Sequence, residues 1–263
     1  IKADLNASLE SLEWTVNAYT LTFAVLLLTG AALGDRFGRR RLFMLGLAIF
    51  TVASALAAIA PNVEMLIAAR ALQGLGGAIV TPLTLTLLSA AVSPKKRALA
   101  LGAWGGIGGL AVALGPLVGG AIVDGISWQW SFWLNVPIGL LLLPLAARGL
   151  RESRGPHARL DLRGVALASV GLLGIVWGLV RGQGQGWASG EIVASLALGV
   201  AVTGLFLIWE RRAPAPMLPP HFFRSRVFTQ MNVASFAMYF GMFGAIFLLA
   251  QFFQVVQGDS PLV

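Results

Sequence analysis

The stretch LTGAALGDRFGRRRLF, residues 28–43, sets Asp35 and four arginines around Gly34 and Gly38, between two long apolar runs. In the whole chain of 263 residues, 57% are hydrophobic and only 11% are charged, whereas about 25% are charged in an average soluble domain. The stretch is therefore interpreted as a charged turn between two transmembrane helices. The sequence predicts an all-α polytopic membrane protein.

Apolar segments of about the length of one membrane crossing extend outward from this turn in both directions. A helix needs about 20 mainly apolar residues to cross the hydrocarbon core of a bilayer. We predict eight such helices, over residues 14–33, 42–60, 63–92, 98–123, 128–147, 162–180, 191–209 and 227–256.

The basic residues predict the orientation of these helices, because loops rich in Lys and Arg tend to remain cytoplasmic. Of the 19 Lys and Arg residues, 16 fall in alternate loops on one side. Cations at those helix ends interact with anionic lipid, so the net charge of +8 requires no nucleic-acid partner. We expect a multi-pass protein of the inner (plasma) membrane, with the lipid bilayer as its partner and no nucleic acid bound.

The acid of the charged turn needs a specific partner. Asp35 lies where a helix ends and carries partial negative charge, which disfavours a second negative charge. It is tolerable if it contacts the N-terminus of another helix or pairs with a nearby base, and the candidates are Arg36, Arg39 and Arg40. Gly34 and Gly38 are expected to let the chain reverse tightly. An ordinary positively charged loop is the alternative.

The third predicted span contains a base. Arg70 lies seven residues beyond Val63, roughly 10 Å along a helix, where a cation costs about 2.5–3.5 kcal/mol on insertion scales. Arg70 does not deprotonate in proteins, but it would lower the pKa of a nearby carboxyl. Polar and small residues share its helix face, namely Gln73, Gly74, Gly77 and Thr81. An arginine that reaches for the helix end is the alternative.

The fourth span is rich in glycine. Ala111, Gly115 and Gly119 recur every four residues, which predicts a face on which a neighbouring helix packs closely. Pro116 removes one backbone hydrogen bond and is expected to bend the helix. Close packing alone could explain the glycines.

These motifs carry a family resemblance. LGDRFGRRR, residues 33–41, resembles the signature between the second and third helices of major facilitator superfamily transporters, although Ala31 stands where that family usually has glycine. LIAARALQGLGGA, residues 66–78, is similar to a family pattern whose arginine is implicated in proton transfer. The fourth span resembles the antiporter motif of drug exporters, with Ala111 in place of its central glycine. That motif comprises Gly102, Ala111, Gly115, Pro116, Gly119 and Gly120.

The resemblance implies roles for residues of the first two motifs. It assigns transport and proton coupling to Arg70, Gln73 and Gly74. It also assigns a conformational latch between the two halves of the transporter to the charged turn, and the latch residues are Gly34, Asp35, Arg36, Gly38, Arg39 and Arg40.

Later segments resemble the fourteen-helix drug:proton antiporter branch. WQWSFWLNVPIG, residues 128–139, is similar to the start of its sixth helix, and its tryptophans also suit an aromatic belt at the membrane surface. The chain would then be a fragment covering helices two to nine. Its expected parts are an extracytoplasmic segment (1–13), an N-terminal bundle (14–148), a cytoplasmic central loop (149–161), an inserted helix pair (162–209), a cytoplasmic loop (210–226) and the start of a C-terminal bundle (227–263).

The implied function is export of amphipathic or cationic drug-like compounds in exchange for protons, by alternating access. A periplasmic adaptor is a further candidate partner. We expect no catalytic residues, no cofactor and no metal site, because the sequence has no cysteine and no nucleophile with a base at a recognisable spacing. A major facilitator that carries a metabolite such as a sugar or peptide remains an alternative. A membrane-embedded enzyme or assembly protein is another.

Overall fold

The computed structural model describes residues 1–2, 4–155, 161–214 and 216–253. Over these residues the chain is helical and contains no strand, which confirms the all-α prediction. The helices are α1 (Leu9–Phe37), α2 (Arg39–Ala58), α3 (Val63–Ala91), α4 (Pro94–Gly125), α5 (Trp130–Trp133), α6 (Asn135–Gly149), α7 (Leu162–Gln185), α8 (Gly190–Glu210) and α9 (Arg226–Gln251), with a 3-10 turn at Pro220–Arg224.

Seven stretches of the described residues are long and apolar enough to cross a membrane, and α5 and α6 together form one of them. They correspond to the first seven predicted spans. The eighth predicted span is helical in α9 but is not one of these seven. Its end, residues 254–256, lies outside the described residues, as do residues 156–160 of the predicted central loop.

Polar side chains cap the starts of several helices. Asn62 Oδ1 accepts a hydrogen bond of 2.9 Å from the Met65 N–H at the start of α3, and Asp161 Oδ1 accepts one of 2.9 Å from the Gly164 N–H at the start of α7. Ser8 caps α1 in the same way. Such caps satisfy N–H groups that have no partner within the helix. The predicted start of α1 at residue 14 is therefore five residues late.

The predicted span 128–147 is interrupted at Leu134, between α5 and α6. Pro137 explains the break, because it has no N–H to donate to the carbonyl of Trp133, four residues earlier. The span thus consists of a short turn of helix followed by a 15-residue helix.

A three-helix core carries the site residues, with α3 packed between α1 and α2. Glycines make the approach close. An ideal Cβ on Gly30 of α1 would lie 2.6 Å from the Ala78 carbonyl oxygen, and one on Gly76 would lie 2.7 Å from the Phe50 nitrogen of α2. Leu66 and Leu83 of α3 are fully buried in this core. By contrast, α4 has Gly120 as its buried residue and is otherwise largely exposed.

The helices α7 and α8 form a tight hairpin that also packs against α1. Within the hairpin, Ser195 Oγ donates a 2.7 Å hydrogen bond to the Gly174 carbonyl, and the backbones of Gly174 and Gly199 face each other. Towards α1, the hydroxyls of Thr29 and Ser169 lie 3.4 Å apart. The hairpin is thus attached to the three-helix core through α1.

We expect Gly199→Ala to lower the stability of this hairpin by about 1–3 kcal/mol, the usual penalty for overpacking. Its new Cβ would lie 2.5 Å from the Ile175 nitrogen, and a backbone atom cannot move aside easily. Gly204→Ala in the same helix is the matched control, since nothing lies within 4 Å of that position. Thermal unfolding in detergent micelles measures the difference. Equal melting temperatures for the two variants would contradict close packing at Gly199.

Candidate functional site

The charged corner between α1 and α2 is a tight turn held by an ion pair. Gly38, at φ +111°, separates the two helices, and a side chain would be strained at that angle. Arg39 Nε donates to Asp35 Oδ1 over 2.8 Å. The structure thus supplies Arg39 as the partner of Asp35, among the candidates expected from the sequence. Arg36 lies over the Phe37 ring instead, 5.2 Å from its centroid.

Gly34 does not form part of the turn, contrary to the expectation from the sequence. It lies within α1 and is buried, and a Cβ there would collide with the Leu83 side chain of α3. Gly34 therefore allows α1 and α3 to approach each other, and Gly38 alone of the two glycines reverses the chain.

The segment after α6 docks onto this corner through Glu152. Its Oε1 accepts the Arg40 N–H at 3.0 Å and its Oε2 accepts the Arg41 N–H at 3.2 Å. The Ser153 carbonyl accepts the Arg39 N–H at 2.9 Å. The first three N–H groups of α2 thus all find acceptors in residues 152–153. A carboxylate at a helix N-terminus is favourable for the helix dipole as well.

The docking also reaches α1. The Gly155 N–H donates to the Asp35 carbonyl over 2.9 Å, and a Cβ on Gly155 would collide with the Asp35 carboxylate. Sequence analysis missed Glu152 as a site residue. Its signal was that it is the acid between Arg151 and Arg154 in a basic loop.

We expect Glu152→Gln to speed amide hydrogen exchange over residues 39–43 by about fivefold, because loss of a helix cap typically costs about 1 kcal/mol. Glutamine replaces one of the two accepting oxygens with an NH2 group, which cannot accept a hydrogen bond, and it carries no charge. Arg151→Gln, in the same loop, is the control and should leave exchange over these residues unchanged. Identical exchange in wild type and Glu152→Gln would contradict the capping role.

A second polar site surrounds Arg70 and links all three core helices. Arg70 Nε donates to the Thr15 carbonyl of α1 over 2.9 Å, and Nη1 donates to Gln73 Oε1. Gln73 Nε2 in turn donates to Ser54 Oγ of α2 over 2.7 Å. Gln73 is 2% exposed and Ser54 is fully buried. The hydrogen bonds therefore form a continuous relay from α1 through α3 to α2.

Two aromatic rings complete the surroundings of Arg70. Its Cζ lies 4.3 Å from the centroid of Tyr19 and 5.7 Å from that of Phe132, distances at which a guanidinium is attracted to a ring face. Among the described residues Arg70 forms no ion pair. The guanidinium is therefore held in place by uncharged groups and does not reach for the end of its helix.

The small residues predicted to share the face of Arg70 bring α1 close to it. An ideal Cβ on Gly74 would lie 2.5 Å from the Tyr19 carbonyl oxygen, and one on Gly77 would lie 3.3 Å from the Phe23 ring. This approach places the Thr15 carbonyl within reach of Arg70. Thr81, one turn further along, is half-buried.

The glycine-rich motif of α4 is not brought to either site. Nothing within the described residues comes within 4 Å of an ideal Cβ on Gly102, Gly115 or Gly119. The expected close packing of a neighbouring helix on this face is therefore absent from the part of the chain that the structure describes. Ala111 is exposed as well, Pro116 lies inside the continuous helix, and Gly120 is buried.

Trp128 was expected to suit an aromatic belt, and the structure corrects this interpretation. It is 6% exposed and packs against Ala57, Leu66 and Ala69. Its Nε1 donates to Asp4 Oδ2 over 2.8 Å, which satisfies the buried indole N–H. Trp130, at 50% exposed, remains compatible with the belt. The partner of Trp128 could not be found from the sequence, because it lies 124 residues away.

The described residues contain seven apolar helical stretches of membrane-crossing length, a charged helix corner and an arginine held between three helices. These features define a polytopic helical membrane protein. The sequence model of the Major Facilitator Superfamily matches residues 1–263 of this chain. The chain therefore belongs to the major facilitator superfamily, which confirms the resemblance of its motifs.

Known relatives match along the whole chain. It is 36% identical to the tetracenomycin C resistance and export protein of Streptomyces glaucescens, covering 100% of this chain and 49% of the relative. It is 38% identical to the methylenomycin A resistance protein of Bacillus subtilis, covering 100% of this chain and 57% of the relative. It is 39% identical to the multidrug efflux pump LfrA of Mycolicibacterium smegmatis, covering 100% of this chain and 52% of the relative. The chain spans about half the length of these relatives.

Proposed function

We propose that this chain is part of a secondary active transporter that exports amphipathic or cationic drug-like compounds in exchange for protons. The observation that carries the proposal is the Arg70 relay, a fixed cation hydrogen-bonded across three helices inside an apolar core. A cation inside a membrane span is expensive and marks a functional site by default. The names of the relatives, which describe resistance, export and efflux, support export as the direction.

The proposed mechanism assigns separate tasks to the two polar sites. Arg70, Gln73 and Gly74 couple transport to proton movement, with Arg70 lowering the pKa of a carboxyl that approaches it in the complete protein. The charged corner acts as a latch that holds one conformation during alternating access. In transporters of this type, substrate binds near the bilayer midplane between two bundles. Protons and a drug-like molecule are the proposed ligands, in the inner membrane, with a periplasmic adaptor as a further candidate partner.

No specific observation favours either alternative function. A metabolite transporter would share the fold, but the names of the relatives given above refer to antibiotic resistance or to multidrug efflux. For a membrane-embedded enzyme, the polar residues around Arg70 offer hydrogen-bond donors and acceptors but no nucleophile paired with a base. Transport therefore fits the site better than catalysis.

This proposal is tested by measuring the efflux of ethidium from cells when that efflux is driven by a proton gradient. The 263-residue chain and the product of its locus extended to both natural ends are compared at equal membrane levels. Efflux from the extended form that an uncoupler abolishes would support drug:proton antiport. If both forms insert correctly and neither moves ethidium, the export proposal is wrong and the metabolite transporter becomes the better hypothesis.

A further inference from the structure

A cavity of about 280 Å³ lies between α1 and α7, at the end opposite the arginine-rich corner. Its walls include Glu10, Glu13, Trp14, Asn17, Arg181 and Gln185. The four residues from α1 follow the spacing i, i+3, i+4, i+7 and so share one helix face. None of these side chains belongs to the charged corner or to the Arg70 relay.

The cavity has an excess of negative charge. Arg181, the base in its wall, lies 3.9 Å from Glu191 through its Nε and is thus already matched by an acid. Within the part of the chain that the structure describes, neither Glu10 nor Glu13 forms an ion pair. Two uncompensated carboxylates in a concave surface concentrate cations.

The indole of Trp14 stands in the same cavity wall as these carboxylates. The Trp177 ring instead faces the Arg181 guanidinium, 5.1 Å from its centroid, and its N–H donates to Glu191 Oε1. Trp14 and Trp177 lie 5.4 Å apart between ring centroids, and Trp14 forms part of the cavity wall. Indole is the side chain whose face binds ammonium groups best, and aromatic cages recognise quaternary ammonium ligands in this way. Carboxylates beside an indole therefore favour an organic cation over a hydrated metal ion.

Trp177 contacts Trp14 of this cavity and itself lines a neighbouring apolar one. A second cavity, of about 350 Å³, is lined by Trp177 together with residues of α7 and α8 that are aliphatic or small, such as Leu173, Leu198 and Val202. Leu173 and Trp177 are one helical turn apart on α7, and Arg181 follows one turn later, so the two cavities lie along one stripe of that helix. Charge at one end and hydrocarbon at the other match an amphipathic molecule.

We propose that these two cavities together form a binding site for an amphipathic organic cation, with the ammonium group between Glu10, Glu13 and Trp14 and the hydrocarbon chain along Leu173 and Leu198. We call this site the tryptophan cleft. The inference rests on the proposed export function, because its occupant is the class of compound which that function exports, and it adds a place where such a compound binds. The cleft lies between α1 and the α7–α8 hairpin, and Arg70 is not among its lining residues.

Fluorine NMR of the full-length protein tests the cleft locally. The protein is labelled with 5-fluorotryptophan in nanodiscs of phosphatidylglycerol, and Trp14→Phe and Trp177→Phe assign the two signals. The probe is a nitroxide whose ring carries a dimethyl-octyl-ammonium group. We expect it to broaden the Trp14 and Trp177 signals at concentrations that leave Trp209, at the other end of α8, unaffected. A neutral octyl nitroxide should broaden them much less.

The carboxylates are tested by a double variant and a matched control. Glu10→Gln with Glu13→Gln should raise the half-saturating probe concentration by about tenfold, because each exposed carboxylate contributes roughly threefold to binding of a cation. Glu64→Gln, an exposed acid in the first turn of α3 outside the cleft, should leave it unchanged. The signals of the other tryptophans report whether the double variant is folded.

Several outcomes would overturn the inference. They are equal broadening by the neutral nitroxide, unchanged broadening in the double variant, and loss of broadening when phosphatidylethanolamine is added, which would assign the cleft to a lipid headgroup. Ethidium efflux without probe binding would overturn the cleft and leave the export proposal intact. Probe binding that depends on Glu10 and Glu13 in a protein without efflux would support the cleft and contradict export.

Discussion

Arg70→Ala is expected to reduce proton-driven ethidium efflux by at least about tenfold while the amount of protein in the membrane stays the same. The variant removes the bonds from Arg70 to the Thr15 carbonyl and to Gln73. A hydrogen bond to a charged group contributes about 1.5–3 kcal/mol, and 1.4 kcal/mol corresponds to a tenfold change in an equilibrium. Initial rates of efflux from preloaded cells provide the measurement.

Arg70→Lys is the matched control because it keeps the charge. A lysine ammonium is a point charge without the planar fork that lets Arg70 reach two acceptors at once. If charge alone matters, Arg70→Lys retains efflux; if the relay matters, it loses most of it. Normal efflux from Arg70→Ala would remove Arg70 from the proposed mechanism. Thermal unfolding of both variants separates a transport defect from a folding defect.

Asp35→Asn is expected to slow efflux by about fivefold and to change substrate affinity by less than about twofold. The asparagine keeps the shape and the backbone bond to Gly155 but removes the charge paired with Arg39. Because that pair is partly exposed, its contribution is at most about 1 kcal/mol, or about fivefold. The maximal efflux rate and ethidium binding to the purified full-length protein are measured in parallel.

Asp124→Asn makes the same substitution at an exposed acid at the end of α4 and should leave the efflux rate unchanged. A double-mutant cycle with Arg39→Gln tests the pair itself, since two residues that act together give effects that do not add. A normal rate for Asp35→Asn would falsify the latch, whereas a loss of ethidium binding would indicate a role in the substrate site instead.

Sequence reasoning succeeded where both partners lie on one helix or across one turn. Arg70 and Gln73 are three residues apart on one helix, and their spacing predicted a common face. Asp35 and Arg39 are four apart across the turn, and Arg39 was one of three arginines expected as a partner of Asp35. Apolar segment length located the first seven spans for the same local reason. The periodicity of apolar and polar residues and the lengths of apolar runs can be measured directly along the chain.

Sequence reasoning failed where a residue's role depends on a helix that is distant in the chain. Gly34 was assigned to the turn because glycine is common in turns, but the Leu83 side chain of α3 determines its role. The Ser54 end of the relay and the burial of Trp128 likewise depend on how helices pack. No local pattern encodes such contacts. The break before α6 is different, because Pro137 was visible in the sequence and its effect was not considered.

The bonds from Glu152 to the start of α2 have a consequence for how the protein is made. They join positions 112 residues apart in the chain. Chains are synthesised at about 5–20 residues per second, so Arg40 waits roughly 6 to 20 seconds after its own synthesis before its acceptor exists. During this interval the first turn of α2 must rely on water. Docking of residues 152–155 then marks the moment in biogenesis when the sixth helical segment has emerged and the corner becomes fixed.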